Sequence, residues 1–170
     1  MFFNFINKLW ISEDKIAAWI SQAFDYLLAD DYPNVFLFLC DTFSDEELAD
    51  LNDAEPGSAS NSTIGITYFA EDHFDVVFAL QPIRALFADF SPFEIKEVIQ
   101  GFALHEAFHV LQFSYLFKRG GLNAINALNS DLKNSDYTDN ILEIGAFNFQ
   151  LFGAFQDFSV AFQPYLQKAA

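Results

Sequence analysis

The chain has 170 residues, about half of them hydrophobic, and its 24 acidic against 8 basic side chains give a formal net charge of −16. That length and apolar share fit one domain, residues 1–170, with a sizeable core, and exclude a disordered chain. The acidic balance argues against nucleic acid and anionic membrane surfaces as partners; it suits basic peptides, or simply solubility.

Residues 1–11 are apolar and aromatic, but Asn4, Asn7 and Lys8 interrupt them and no basic start or small-residue cleavage site is evident. They do not read as a signal peptide, and no run reaches the length of a membrane span. Ser12 is placed to cap a helix over 13–29, with Ile16, Trp19, Ile20, Ala23, Tyr26 and Leu27 as its core-facing stripe. Residues 30–34 break it. Residues 35–40 form a continuous apolar run that reads as a buried strand. It ends on Cys40, the only cysteine, so no intrachain disulfide or thiolate-built zinc site exists. A lone thiol suits a reducing compartment, and a cytoplasmic location is expected. A short helix follows Ser44, which has capping-box spacing to Glu47. Residues 54–63 read as a flexible loop. Strands are expected at 64–70 and 74–80, with Glu71, Asp72 and His73 between them at hairpin-loop length, then a short helix over 83–90.

Ser91-Pro92-Phe93-Glu94 is a helix start: a capping residue, a proline suited to the first helical position, and a glutamate that completes the box. Lys118 and Arg119 suit a helix C-terminus, and Gly120-Gly121 stops it. Residues 122–128 read as one more helical segment and 129–140 as a polar stretch. A last apolar helix is expected from 138 or 139 to near Phe162, before Pro164. Phe152, Phe155, Phe158, Phe162 and Tyr165 recur along it at helical spacing, as a core stripe or as a partner-docking face. The element pattern is α+β: a small sheet, mostly antiparallel or mixed, packed on two long C-terminal helices.

Mid-way along the helix that starts at Ser91 stands His105-Glu106-Ala107-Phe108-His109, an HExxH sequence. Two histidines four apart lie on one helical face, where both imidazoles can hold a zinc ion and the carboxylate between them can reach a water on it. Composition alone gives such a motif in this chain at roughly 0.3%, so coincidence is a weak account. Satisfied core histidines are the plain alternative.

A zinc site needs a third protein ligand. The extended form HExxHxxGxxH is excluded, because Gln112 and Tyr115 occupy its last two positions. His73 lies upstream at the hairpin tip. Of the downstream acids, Asp131, Asp136 and Asp139 have polar surroundings and Asp157 reads as the polar face of its helix. Glu143 stands apart in Ile141-Leu142-Glu143-Ile144-Gly145-Ala146-Phe147. A carboxylate in that setting needs a metal, a cation or hydrogen bonds; otherwise it is a half-exposed acid favoured by the helix dipole. Gln112 either hydrogen-bonds near the site or faces solvent.

The HExxH helix followed by a helix with a lone Glu, and Ala three residues on, resembles the gluzincin zinc metallopeptidases, and the short chain resembles their small single-domain forms, the minigluzincins. The matching residues are His105, Glu106, His109, Glu143 and Ala146, within residues 91–150. The resemblance implies a zincin-like fold, with Zn2+ on His105, His109 and Glu143 and Glu106 as general base in peptide hydrolysis. It also implies that strand 64–70 lines the cleft and holds a peptide or protein substrate by strand addition, where Gly65 would allow close approach. Many gluzincins place an acid soon after the ligand glutamate to steady a zinc histidine; this chain has Phe147 and Asn148 there. The oxyanion donors on offer are Tyr137, Tyr115, Arg119 and His73. A catalytically degenerate zinc-binding or protein-interaction module is the alternative, and an acidic interaction protein a third. Oligomeric state is not legible.

Overall fold

The computed structural model describes residues 11–28, 34–54, 57 and 59–170. The readings of residues 1–10, of the break at 30–33 and of loop residues 55, 56 and 58 lie outside the described residues. Among these, the chain forms seven α-helices and one three-stranded mixed sheet, an α+β arrangement. No helix among the described residues is long and apolar enough to cross a membrane.

Helix α1 (Glu13–Leu28) buries Ile16, Trp19, Ile20, Ala23, Phe24 and Leu28. Tyr26, expected in that stripe, is 79% exposed. At 3.6 residues per turn it sits about 120° round the helix from Ile20, beyond the buried face. Strand β1 (Val35–Cys40) leads into helix α2 (Asp45–Ala54), then strands β2 (Gly65–Phe69) and β3 (Phe74–Ala79). The sheet order is β1-β3-β2, with β1 parallel and β2 antiparallel to the central β3. The expected hairpin closes with Ala70 N donating to His73 O at 2.9 Å.

The reading of β1 as buried needs correction. It is an edge strand, and Phe36, Leu37 and Phe38 are exposed. A continuous apolar run marks a strand, but whether the strand lies at the centre or the edge is set by distant pairing partners. The buried strand is β3, with Phe74, Val76, Phe78 and Ala79 inside.

After helix α3 (Leu80–Ala85) and a short 3-10 turn at Leu86–Ala88 comes helix α4 (Pro92–Leu132). It starts at the expected capping box: Glu94 N donates to Ser91 Oγ at 3.3 Å and Ser91 N to Glu94 Oε2 at 2.9 Å. The expected stop also holds. Gly121 has non-helical backbone (φ 58°, ψ −158°), so α4 is two segments that meet there.

Helix α5 (Ile141–Phe152) follows a 3-10 turn at Tyr137–Asp139. The single helix expected out to Phe162 does not form. Gly153 takes a left-handed φ of 64° and closes α5, where any other residue would strain. Asp157, read as a polar-face residue, caps a new turn instead, accepting from Ser159 N and Val160 N. Helices α6 (Phe158–Ala161) and α7 (Gln163–Ala169) complete the chain, with Pro164 in the first turn of α7.

Four apolar clusters form among the described residues, two of them large. One joins α1, β3 and the first part of α4, through residues such as Ile20, Val76, Phe78, Ile95, Ile99 and Ala107. The other joins the later part of α4 to α5 and α7 through Leu116, Ile125, Leu128, Leu142 and Tyr165, with Phe162. The tail stripe is therefore core only in part: Phe162 and Tyr165 are buried, while Phe152 and Phe155 are 76% and 62% exposed.

Candidate metal centre

The HExxH sequence lies inside the first segment of α4, so helical geometry brings both imidazoles to one face, with ring centroids 4.8 Å apart. Glu143 arrives from α5. Asn140 caps that helix, its Oδ1 accepting from Leu142 N at 2.9 Å and Glu143 N at 3.5 Å. Glu143 is buried, not the half-exposed acid of the plain reading.

The three side chains converge. His105 Nε2 is 3.1 Å from Glu143 Oε2, His109 Nε2 is 3.2 Å from Glu143 Oε1, and the two Nε2 atoms are 3.2 Å apart. A tetrahedral site with bonds of about 2.0–2.1 Å has neighbouring ligand atoms about 3.3–3.4 Å apart. The two Nε2 atoms stand within about 0.2 Å of that spacing, and each has its own Glu143 oxygen within about 0.3 Å of it, Oε2 for His105 and Oε1 for His109. Among the described residues these three form a group able to hold a metal ion. Charge points the same way. Glu106 and Glu143 are both buried in a cleft whose described lining contains no Lys or Arg. Two buried carboxylates need a cation or protonated partners. Two imidazole nitrogens and a carboxylate oxygen suit zinc and other borderline divalent ions.

Without a metal, His109 supplies positive charge. Burial pushes His109 down, but the Glu143 carboxylate outweighs it and raises the imidazole to about 9. Burial pushes Glu143 up, yet the charge of His109 and hydrogen bonds from both histidines hold it well below the usual carboxylate range.

Around this triangle the side chains fall into two sets. On one side Gln112, fully buried, places Oε1 2.8 Å from His109 Nδ1. Its Nε2 donates to Leu142 O at 3.0 Å and to Gln156 Oε1 at 2.9 Å, and Gln156 Nε2 donates to Ile141 O at 3.1 Å. Of the two readings of Gln112, the structure shows the one near the site. His105 Nδ1 is buried with no hydrogen-bond partner among the described residues, and the ring lies against Phe147 at 4.6 Å.

On the other side is the cleft, about 460 Å³. Residues 64–67 all line it. Side chains alternate along a strand, so four consecutive lining residues mean that the free edge of β2 faces the cavity. Glu106 is fixed against that edge: Thr67 Oγ1 donates to its Oε2 at 2.7 Å. The approach is close because residue 65 is glycine. A Cβ there would lie 2.8 Å from Glu106 Cγ and 2.9 Å from Oε1.

Of the four oxyanion-donor candidates, only Tyr137 enters the cleft, donating its hydroxyl to Glu143 Oε2 at 2.8 Å. His73 stays at the hairpin tip beside Asp72. Tyr115 and Arg119 stack on each other, 4.7 Å from guanidinium carbon to ring centre. Cys40 packs near Phe43, Leu48 and Ile66, and Asp131 pairs with Lys168. Sequence reasoning did not assign Thr67 or Gln156 to the site. Thr67 stands two residues from Gly65, on the same strand face, which was a usable signal. Gln156 lies beyond the Gly153 turn and had none.

Compared with protein-family profiles, with characterised proteins and with solved structures, the chain gives no match.

Proposed function

We propose that this chain is a zinc-dependent metallopeptidase of gluzincin type, with a zincin-like fold. One observation carries the proposal. Two imidazole Nε2 atoms 3.2 Å apart each meet an oxygen of the buried Glu143 carboxylate, and a second buried carboxylate, Glu106, stands beside them on a cleft edged by a free strand. His105, His109 and Glu143 would hold the ion. Bound zinc would supply an acidified water and polarise the substrate carbonyl. Glu106 would accept the water's proton and pass it to the leaving amine; Thr67 holds one of its oxygens in place for this. Tyr137, whose hydroxyl lines the cleft, would be the donor to the oxyanion. The peptide would lie along β2, whose free edge offers backbone donors and acceptors. Leu86, Phe102, Phe113, Leu142 and Phe147 line the cleft and favour an apolar substrate side chain.

The test is metal content of protein purified without chelator, with hydrolysis of a mixed fluorogenic peptide library by the parent and by Glu106→Gln. Expected are one metal per chain in both and hydrolysis by the parent alone. Chain without stoichiometric metal, or hydrolysis that survives Glu106→Gln, refutes the proposal. Bound metal with no turnover on any peptide assigns the chain to the non-catalytic binding module.

A further inference from the structure

A metal can be bound by histidine only through a nitrogen that carries no proton. His109 has two nitrogens, and the surroundings of Nδ1 decide which one is available. The deciding group is Gln112, and its orientation is fixed from outside. Leu142 O and Ile141 O are backbone carbonyls and can only accept. The atom of Gln156 facing Ile141 O, at 3.1 Å, is therefore the amide nitrogen, which leaves its Oε1 facing Gln112. The atom of Gln112 facing both Leu142 O and Gln156 Oε1 must in turn be nitrogen. That leaves Gln112 Oε1, a pure acceptor, 2.8 Å from His109 Nδ1. An acceptor there requires Nδ1–H, so the lone pair of a neutral His109 is on Nε2, the atom facing His105 and Glu143.

Gly145 keeps room for both amides. A Cβ at that position would fall on Gln156 Oε1 and lie 2.7 Å from Gln112 Nε2. Among the described residues nothing equivalent acts on His105, whose Nδ1 has no partner there.

We propose that Gln112, oriented by Gln156 and two carbonyls of α5, is a positioning residue that sets the tautomer of His109 and so presents Nε2 to the metal. The inference rests on the metal-site reading above. It gives this chain a device for steadying a metal-binding histidine from the HExxH helix itself, three residues after the second histidine, with no acid involved.

Zinc affinity, measured by competition with a chromophoric chelator on the full chain, separates the possibilities. Gln112→Leu is expected to bind zinc about 10–100-fold more weakly than the parent. Gln112→Glu keeps an acceptor for Nδ1–H and is expected to stay within a few-fold of the parent. Both variants deprive Leu142 O and Gln156 Oε1 of their donor, so both are expected to lose thermal stability. A merely structural role would lower affinity in both alike, and that result overturns the inference. Imidazole nitrogen NMR of the zinc-loaded parent should show His109 bound through Nε2 with a slowly exchanging Nδ1–H; binding through Nδ1 also overturns it. If Gln112→Leu does not fold, Gln156→Leu, which releases the outer anchor only, is expected to weaken binding a few-fold, and unchanged affinity there counts against the inference. A parent that binds no zinc refutes the metal-site reading and the inference with it. A parent that binds zinc as tightly as Gln112→Leu overturns the inference alone.

Discussion

Gly65→Ala should separate metal binding from turnover. The added Cβ would stand 2.8 Å from Glu106 Cγ, 2.9 Å from Oε1 and 3.0 Å from Cδ. Ordinary carbon contact begins near 3.4 Å, so the carboxylate must retreat by about 0.6 Å, or β2 must lift away by as much. Either movement stretches the 2.7 Å hydrogen bond from Thr67, which then no longer locks the carboxylate. A misplacement of about 1 Å at a reacting group can cost about 100-fold, so a loss of roughly 10-fold in kcat is expected here. The backbone itself should tolerate alanine, because residue 65 is in a strand and has no left-handed φ. His105, His109 and Glu143 are untouched, so metal content should match the parent. The assay is initial-rate hydrolysis of the best peptide from the library, alongside metal analysis of the same preparations. Full activity with full metal would show that Glu106 is not the base or that its place against β2 does not matter. Loss of metal together with activity would show that the two functions are not separable at this residue.

The metal-free site makes a signed prediction about pH. His109 is raised to about 9, so its contribution to stability is complete below its ordinary value of 6.5 and is lost as pH rises through about 9. Glu143 is lowered, so its contribution is present above 4.5 and is lost as pH falls toward its depressed value. Thermal midpoints of the chelated protein should therefore be highest between about pH 4.5 and 6.5 as far as this pair is concerned, and Glu143→Gln should flatten the alkaline decline. An alkaline decline of the same size in Glu143→Gln would refute the pairing. Phe108→Ala removes a fully buried ring stacked 5.0 Å from Phe149, and a loss of about 3–5 kcal/mol is expected in denaturant titration; a loss below 1 kcal/mol would contradict that packing. Tyr137→Phe deletes the hydroxyl that reaches Glu143 Oε2. It should keep its metal and lose about 100-fold in kcat; an unchanged rate would remove Tyr137 from the oxyanion role.

The site was more legible than the sheet, for a physical reason. The HExxH spacing, the Ser91 capping box and the Gly120-Gly121 stop are signals within a few residues, and helices are organised at that range. Glu143 was legible because a lone carboxylate in an apolar helix raises an energetic question of its own. The exposure of β1 was not, because only its pairing with β3 puts it at an edge. The end of α5 was legible in principle: Gly153 is a helix-stop residue, and Asp157 followed by Ser159 suits a cap. The aromatic period running through both overrode these signals. The Gln112–Gln156 pair joins residues 44 apart across a turn, and no local pattern encodes such a meeting.

The two large cores give the candidate site a mechanical meaning. His105 and His109 alternate with Ala103, Ala107 and Val110, which belong to the first core; Glu143 follows Leu142, which belongs to the second. An ion held by all three would be a polar cross-link between α4 and α5, added to the apolar packing of Phe108 on Ala146 and Phe149 that already joins them. Chelation would then act unevenly. Amide hydrogens in α5 should exchange sooner than those in α1 and β3, because α5 supplies a ligand and would lose a bond to the HExxH helix, whereas α1 and β3 supply none.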